Sequence, residues 1–261
     1  MIRLDTEEGP METTTDQNEA LAVIRATSAP IHDIGTAIYL SPDVFGWAAE
    51  WGWSNPFSFY FAGRGGMLGD VGPEVVYASL GWFEPSAVTT FFGEGVAVQG
   101  ARTAALRMAE AHALWGRKHL SGVKGIGDIA AVTEALVDGL EGSGLPLFSG
   151  WRAAPRADDD AGRAAQLMQI LREWRGGLHL VATTAAGLTP REAILTNEGE
   201  GQAKFFGWPA PFPDCADIRF KHDEAEALTD QLSVASFSRA LPHDRFGEFE
   251  AGVAAVHAAL P

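Results

Sequence analysis

The sequence predicts an all-α fold: a multi-helical protein of two related helical halves packed around two long central helices, with little or no sheet. Three observations carry this. Apolar residues recur every three or four positions through long stretches. Prolines and capping side chains stand at the starts of those stretches. Alternating runs of Val, Ile and Thr are almost absent.

Taken in order, residues 1–15 read as a flexible tail. Asp16, with Glu19 three residues on, forms a capping box that opens a helix near Gln17. Pro30 is expected to end it, and Ile31 to Leu40, carrying His32, makes a second helix. Ser41-Pro42 and Asn55-Pro56 each set a capping side chain before a proline at the first helical position. The helix after Asn55 reads PFSFYFAGRGGML, and Tyr60, Phe61, Met67 and Leu68 lie one turn from Arg64. Arg64 therefore falls on an apolar face. Pro73 and Pro85 open two short helices joined by Trp82-Phe83. Residues 97–119 form one long helix, in which Val98, Ala101, Ala105, Met108, His112, Trp115 and His119 keep a three-four spacing. Ser121 to Gly127 breaks it, and Asp128 caps a helix to about Leu140.

Residues 16–143 thus make a first helical half, and the Gly/Pro-rich, charged stretch 144–160 a connector. The second half, 161–261, holds the longest helical pattern, from Gly162 to Leu188. Its stripe includes Leu167, Met168, Leu171, Trp174, Leu178 and Ala182. Arg175 projects from that stripe, seven residues from both Met168 and Ala182, and His179 lies one turn further on. Thr189-Pro190-Arg191-Glu192 is a capping box that starts a short helix. The tight turn between these helices gives residues 162–198 a helix-turn-helix-like outline. Residues 199–222 read as irregular and aromatic, and helices over about 223–240 and 244–260 close the chain.

Composition narrows the function. A hydrophobic content of 46 % supports a real core, and a formal net charge of −15 repels nucleic acid and anionic membrane. No basic cluster overrides that charge, so nucleic acid and membrane are not expected partners. One cysteine, Cys215, excludes a disulfide framework and points to a reducing cytoplasm. The acidic N-terminus does not read as a secretory signal. Cys215 has no histidine at motif spacing, no Gly-x-Ser-x-Gly occurs, and GVKGIG at 122–127 lacks the ending of a phosphate loop.

What remains is charge placed in apolar surface. A guanidinium stays ionised, so a buried one needs a carboxylate, carbonyls or an anionic ligand. Arg64 and Arg175 each stand in Arg-Gly-Gly within a helix that precedes a proline-led one, a faint internal repeat. They read either as partners of buried carboxylates such as Asp33, Asp70, Glu74 or Glu173, or as two sides of an anion clamp. The glycines beside them allow close approach of a helix or of a ligand. His32, His112, His119 and His179 read as core histidines; convergence on a haem or metal is the alternative, although His112 and His119 are too far apart to share one ion. No cofactor is named by the sequence. Trp47, Trp51 and Trp53 crowd one stretch, as pocket or interface aromatics do.

YFAGRGGMLG at 60–69, WFEPSAV at 82–88, GLPLFSGWRA at 144–153 and LREWRGGLHLVA at 171–182 resemble an actinobacterial family usually labelled helix-turn-helix-like. His32 in APIHDI matches a further position. The resemblance implies an all-helical fold with a winged helix near the C-terminus, and it implies no reaction. The residues after Asn197 are aromatic and acidic, without an evident recognition helix or wing.

Together these readings favour a non-enzymatic ligand-binding or regulatory protein. An apolar, aromatic pocket between the halves would take a small anionic or aromatic molecule, with Arg64, Arg175, His179, Tyr60, Trp174 and His32 as the site. The alternatives are an enzyme using the same pocket with His179 as acid/base, a haem-binding protein, or a DNA-binding regulator built on 162–198. The aromatics at 205–212 are consistent with a homodimer.

Overall fold

The computed structural model describes residues 14–261, so residues 1–13 of the expected tail lie outside it. Thirteen α-helices and three short 3₁₀ turns account for the elements, with no strand among the described residues. The first six are α1 (Thr14–Tyr39), α2 (Pro42–Glu50), α3 (Pro56–Gly65), α4 (Pro73–Leu80), α5 (Pro85–Gln99) and α6 (Ala101–Leu120). Then come α7 (Ile126–Gly139), α8 (Pro146–Arg152), α9 (Asp160–Ala185) and α10 (Pro190–Asn197). The last are α11 (Gly199–Phe205), α12 (Arg219–Ala240) and α13 (Phe246–His257). None is long and apolar enough to cross a membrane.

The capping signals fix most helix starts. Ser41 and Asn55 side chains accept from the backbone N–H groups of Asp43 (3.2 Å) and Phe57 (3.0 Å), each ahead of its proline. Asp159 accepts from Gly162 at 2.8 Å and starts α9. At α10 the Thr189–Glu192 capping box is complete.

Several boundaries differ from the sequence reading. Pro30 lies inside α1 and does not end it. Contacts of α1 with α9, α12 and α13 hold the helix through the missing N–H, so tertiary packing overrides the local break. The Thr27 hydroxyl bonds back to Val23 O at 2.8 Å, one turn earlier. The helix expected over 97–119 is two helices. Gly100, at φ +82°, turns the chain between α5 and α6 in a conformation that only glycine takes freely. Of the expected seam only Val98 lies before the junction, and it is exposed; the buried spacing from Ala101 to Trp115 belongs to α6 alone. Gly125 stands at the N-cap of α7, one turn before Asp128. Residues 199–222 are not wholly irregular: α11 forms, and α12 begins at Arg219. Ala203, fully buried, ties α11 to its neighbours despite its weak pattern. Among the described residues there is no strand, so no wing hairpin follows α10.

α9 is the axis. It packs against α1, α6, α7, α8 and α12. From Ala161 to Trp174 nearly every side chain is buried; from Arg175 to Leu180 each is half-buried. The stretch read as a connector contains α8, whose Leu147, Phe148 and Trp151 are buried against α9. Fully buried Trp53, Trp115 and Trp151 fill space between helices; truncating one such ring to alanine costs about 3–5 kcal/mol.

Candidate functional site

Where α9 leaves the core, a cavity of about 300 Å³ opens. Ile24, Ile31 and His32 of α1 form one side, and Tyr60 and Arg64 of α3 another. Trp82, Phe83 and Phe206 supply aromatic surface. α9 contributes Leu171, Arg172, Trp174, Arg175, Gly176 and His179, and α12 contributes His222 and Glu226. Phe206 is held in place by its own backbone. Its carbonyl accepts from Glu84 N at 2.9 Å, and Trp208 Nε1 donates to Trp82 O at 2.9 Å. All six residues singled out from the sequence line this cavity: Arg64, Arg175, His179, Tyr60, Trp174 and His32.

Arg64 forms part of the wall with its donors already engaged. Its Nε and Nη2 donate to Glu173 at 2.7 and 2.8 Å, and its Nη1 donates to the Tyr60 hydroxyl at 2.5 Å. Both ends of the pair are buried, at 8 % and 2 % exposure. Burial works against the Glu173 carboxylate, but the Arg64 charge and hydrogen bonds outweigh it and hold the carboxyl below its usual range. Gln169 donates to Glu173 at 2.5 Å and to the Tyr39 hydroxyl at 2.7 Å. Burial, then the Glu173 charge, raises the Tyr39 phenol, so it stays neutral. The sequence left Glu173 among several partners; the structure selects it.

The two other arginines differ. Arg175 spends one nitrogen, Nη2, on Glu226 at 2.8 Å. Arg172, which the sequence reading did not single out, makes no hydrogen bond among the described residues. Its Nη1 lies 3.7 Å from Glu173, and its guanidinium carbon is 5.4 Å from the Tyr39 ring centre. Its stem passes over Gly35 of α1, where a Cβ would stand 2.3 Å from Arg172 Cδ. Three guanidinium groups (Arg64, Arg172, Arg175) and two carboxylates (Glu198, Glu226) thus line the cavity, while Glu173 is buried behind its wall. His32 also stands at the rim, with its side chain 64 % exposed. Its pKa is lowered by its packed surroundings and then by the Arg172 charge. An imidazole this exposed keeps most of its hydration, so the charge is the more telling cause.

Of the four glycines in the two Arg-Gly-Gly runs, three make room for a neighbour, Gly65 for Val76, Gly66 for α6 and Gly177 for Leu145, and Gly176 alone does not. A Cβ on Gly66 would strike Ala101 O at 2.1 Å, so this glycine lets α6 approach. A Cβ on Gly176 would meet nothing within 4 Å, and Gly176 lines the cavity.

His179 sits between Trp82, 5.5 Å between ring centres, and α12. Its Nδ1 lies 2.9 Å from Thr229 Oγ1, and its Nε2 lies 3.6 Å from Glu226 Oε1. Burial lowers its pKa; Glu226 opposes this, and Arg175 and His222 add to it. The other histidines are elsewhere. His112 is fully buried, bonds through Nδ1 to Met108 O at 2.8 Å, and is pushed by burial down to about 4. His119 pairs with Asp43 at 3.1 Å. The four do not converge on one point. Among the described residues no group of three or more His, Cys, Asp or Glu is placed to hold a metal ion. Cys215 is buried, and burial raises its thiol above the usual value, away from the reactive thiolate.

The sequence reading missed Arg172, Gly176, Trp82, Phe206, His222 and Glu226 as parts of one site. Arg172 was within reach of it, because it stands three residues before Arg175 on the same helix. Glu226 and His222 were not, since α12 has little amphipathic pattern and meets α9 only in three dimensions.

Residues 24–214 match the model of a family described as a helix-turn-helix family. No curated protein and no solved structure matches the chain.

Proposed function

The chain belongs to the helix-turn-helix family whose model covers residues 24–214, and from that premise we propose that it is a non-enzymatic, ligand-binding or regulatory member. Its ligand is a small organic anion, held in the cavity beside α9. One observation carries this reading: Arg172, in the wall of a cavity that mixes aromatic and charged side chains, has no hydrogen-bond partner among the described residues, and its one carboxylate neighbour, Glu173, stands 3.7 Å away and is already bound by Arg64. A guanidinium in such surroundings is stabilised by a bidentate oxyanion. Gly176 supports the same reading. A glycine within a helix costs about 0.5–1 kcal/mol relative to alanine, and no protein atom occupies the space it leaves.

The test is a fluorescence titration with anilinonaphthalene sulfonate, an aromatic anion. One saturable site is expected, weakened about tenfold by Arg172→Gln, with the fold checked by circular dichroism. Absence of a saturable site, or equal affinity in Arg172→Gln, overturns the reading.

The family description favours a second reading, duplex DNA binding through α9, the turn and α10. Against it, Arg191 on α10 is committed to the carbonyls of Pro209 (2.8 Å) and Pro211 (2.6 Å). Glu192, Glu198 and Glu200 lie on or just after that helix. Phosphates would meet carboxylates there. Anisotropy of a labelled duplex is expected to stay flat even at low salt; saturable binding that falls steeply with salt would move the assignment to DNA.

A further inference from the structure

We propose that the cavity selects an aromatic acid carrying a hydroxyl at the end remote from its acid group. The acid lies on Arg172, the ring against Trp82, Trp174 and Phe206, and the hydroxyl donates to Nε2 of His179. This rests on the anion-site reading above and adds the far end of the ligand.

The argument starts at Thr229. Its hydroxyl has one hydrogen, and that hydrogen goes to Ala225 O at 2.7 Å. Toward His179 Nδ1, 2.9 Å away, Thr229 Oγ1 can therefore only accept. The hydrogen in that contact belongs to Nδ1, and in the neutral ring Nε2 is left with a lone pair. Burial favours the neutral ring and outweighs the opposing Glu226 charge, and the Arg175 charge adds to it. Nε2 then faces Glu226 Oε1 at 3.6 Å, one acceptor opposite another. Glu226 is occupied on its other oxygen by Arg175. A donor hydrogen brought between the two serves both, and no hydrogen bond from a described residue supplies it. His222, whose ring centre is 6.5 Å from that of His179, has its own Nε2 without a partner at the same end.

Spacing sets the rest of the ligand. Arg172 and His179 are seven residues apart on α9, about 10 Å along the axis. The cavity runs beside that two-turn span, and Trp82 packs on His179 with its plane tilted 36°. A flat, apolar ring system fits the middle, an oxyanion one end and a neutral donor the other. para-Hydroxycinnamate has that layout.

Calorimetric titration of the intact protein with para-hydroxycinnamate, cinnamate and para-methoxycinnamate tests this. The hydroxy acid is expected to bind about tenfold more tightly than either of the others. In His179→Phe this preference should shrink below about twofold, with cinnamate affinity kept. Thr229→Val, which frees the tautomer, should reduce the preference part of the way; it carries the test if His179→Phe does not fold. Equal affinity for all three acids overturns the hydroxyl assignment and leaves the anion site standing. A preference that survives both substitutions overturns the role of His179. Failure of all three acids, with anilinonaphthalene sulfonate still bound, overturns the hydroxy-acid class alone. Failure of that probe as well overturns the anion site itself.

Discussion

Gly176 separates stability from binding. In the middle of α9 it should cost about 0.5–1 kcal/mol relative to alanine. A Cβ there touches nothing within 4 Å. Gly176→Ala is therefore expected to raise the unfolding free energy by about that amount, a melting-point increase of about 2 °C for a chain of this size. Gly176→Leu should be no less stable than the native chain, because a Cβ there meets nothing within 4 Å and Gly176 lines the cavity. It should weaken the binding of anilinonaphthalene sulfonate more than about tenfold, since the aliphatic group occupies part of the ligand's space. Urea denaturation gives the first number and fluorescence titration the second. Gly66→Ala is the control: its Cβ would meet Ala101 O at 2.1 Å, and it should destabilise. Loss of more than about 1 kcal/mol in Gly176→Leu, or unchanged probe binding, would refute the claim that this glycine keeps a ligand space open.

Glu173→Gln should cost about 3–5 kcal/mol, because it strands the Arg64 charge in the core; urea denaturation measures it, and a loss below about 1 kcal/mol contradicts the buried-pair account. Acid should weaken the fold through His112. Its folded value, about 4, lies below the ordinary 6.5. The unfolded chain therefore binds the proton first, and stability is kept above about pH 6.5 and lost on descent toward about pH 4. The loss is of order 3 kcal/mol, and His112→Gln should flatten that part of the curve. Arg191→Ala should leave probe binding unchanged, since Arg191 lies outside the cavity lining; a loss of affinity in titration would show that the cavity depends on the 209–211 loop.

Much of the site was legible because helical periodicity places side chains on faces. The stripe of α9 gave Trp174, Arg175 and His179 one common side, and the aromatic spacing of α3 put Tyr60 with Arg64. What periodicity cannot give is the partner across space. Glu173 lies 109 residues from Arg64, and Glu226 lies 51 from Arg175. The Arg-Gly-Gly repeat misled for that reason. It made Arg64 and Arg175 look equivalent, whereas one is sealed in a buried pair and the other faces the cavity. Arg172 stands outside the Arg-Gly-Gly run, and what sets it apart, the Tyr39 ring and the cavity wall, lies across space. Pro30 fell to the same limit: a local helix breaker was read without the three helices that pack around it.

The indole N–H resonances of an isotope-labelled sample locate the ligand most directly. On addition of anilinonaphthalene sulfonate, the signals of Trp82 and Trp174, which line the cavity, should shift and saturate together. Those of Trp53, Trp115 and Trp151, fully buried away from it, should stay in place. Shifts spread over all of them, or none at Trp82 and Trp174, would contradict a ligand site beside Arg172.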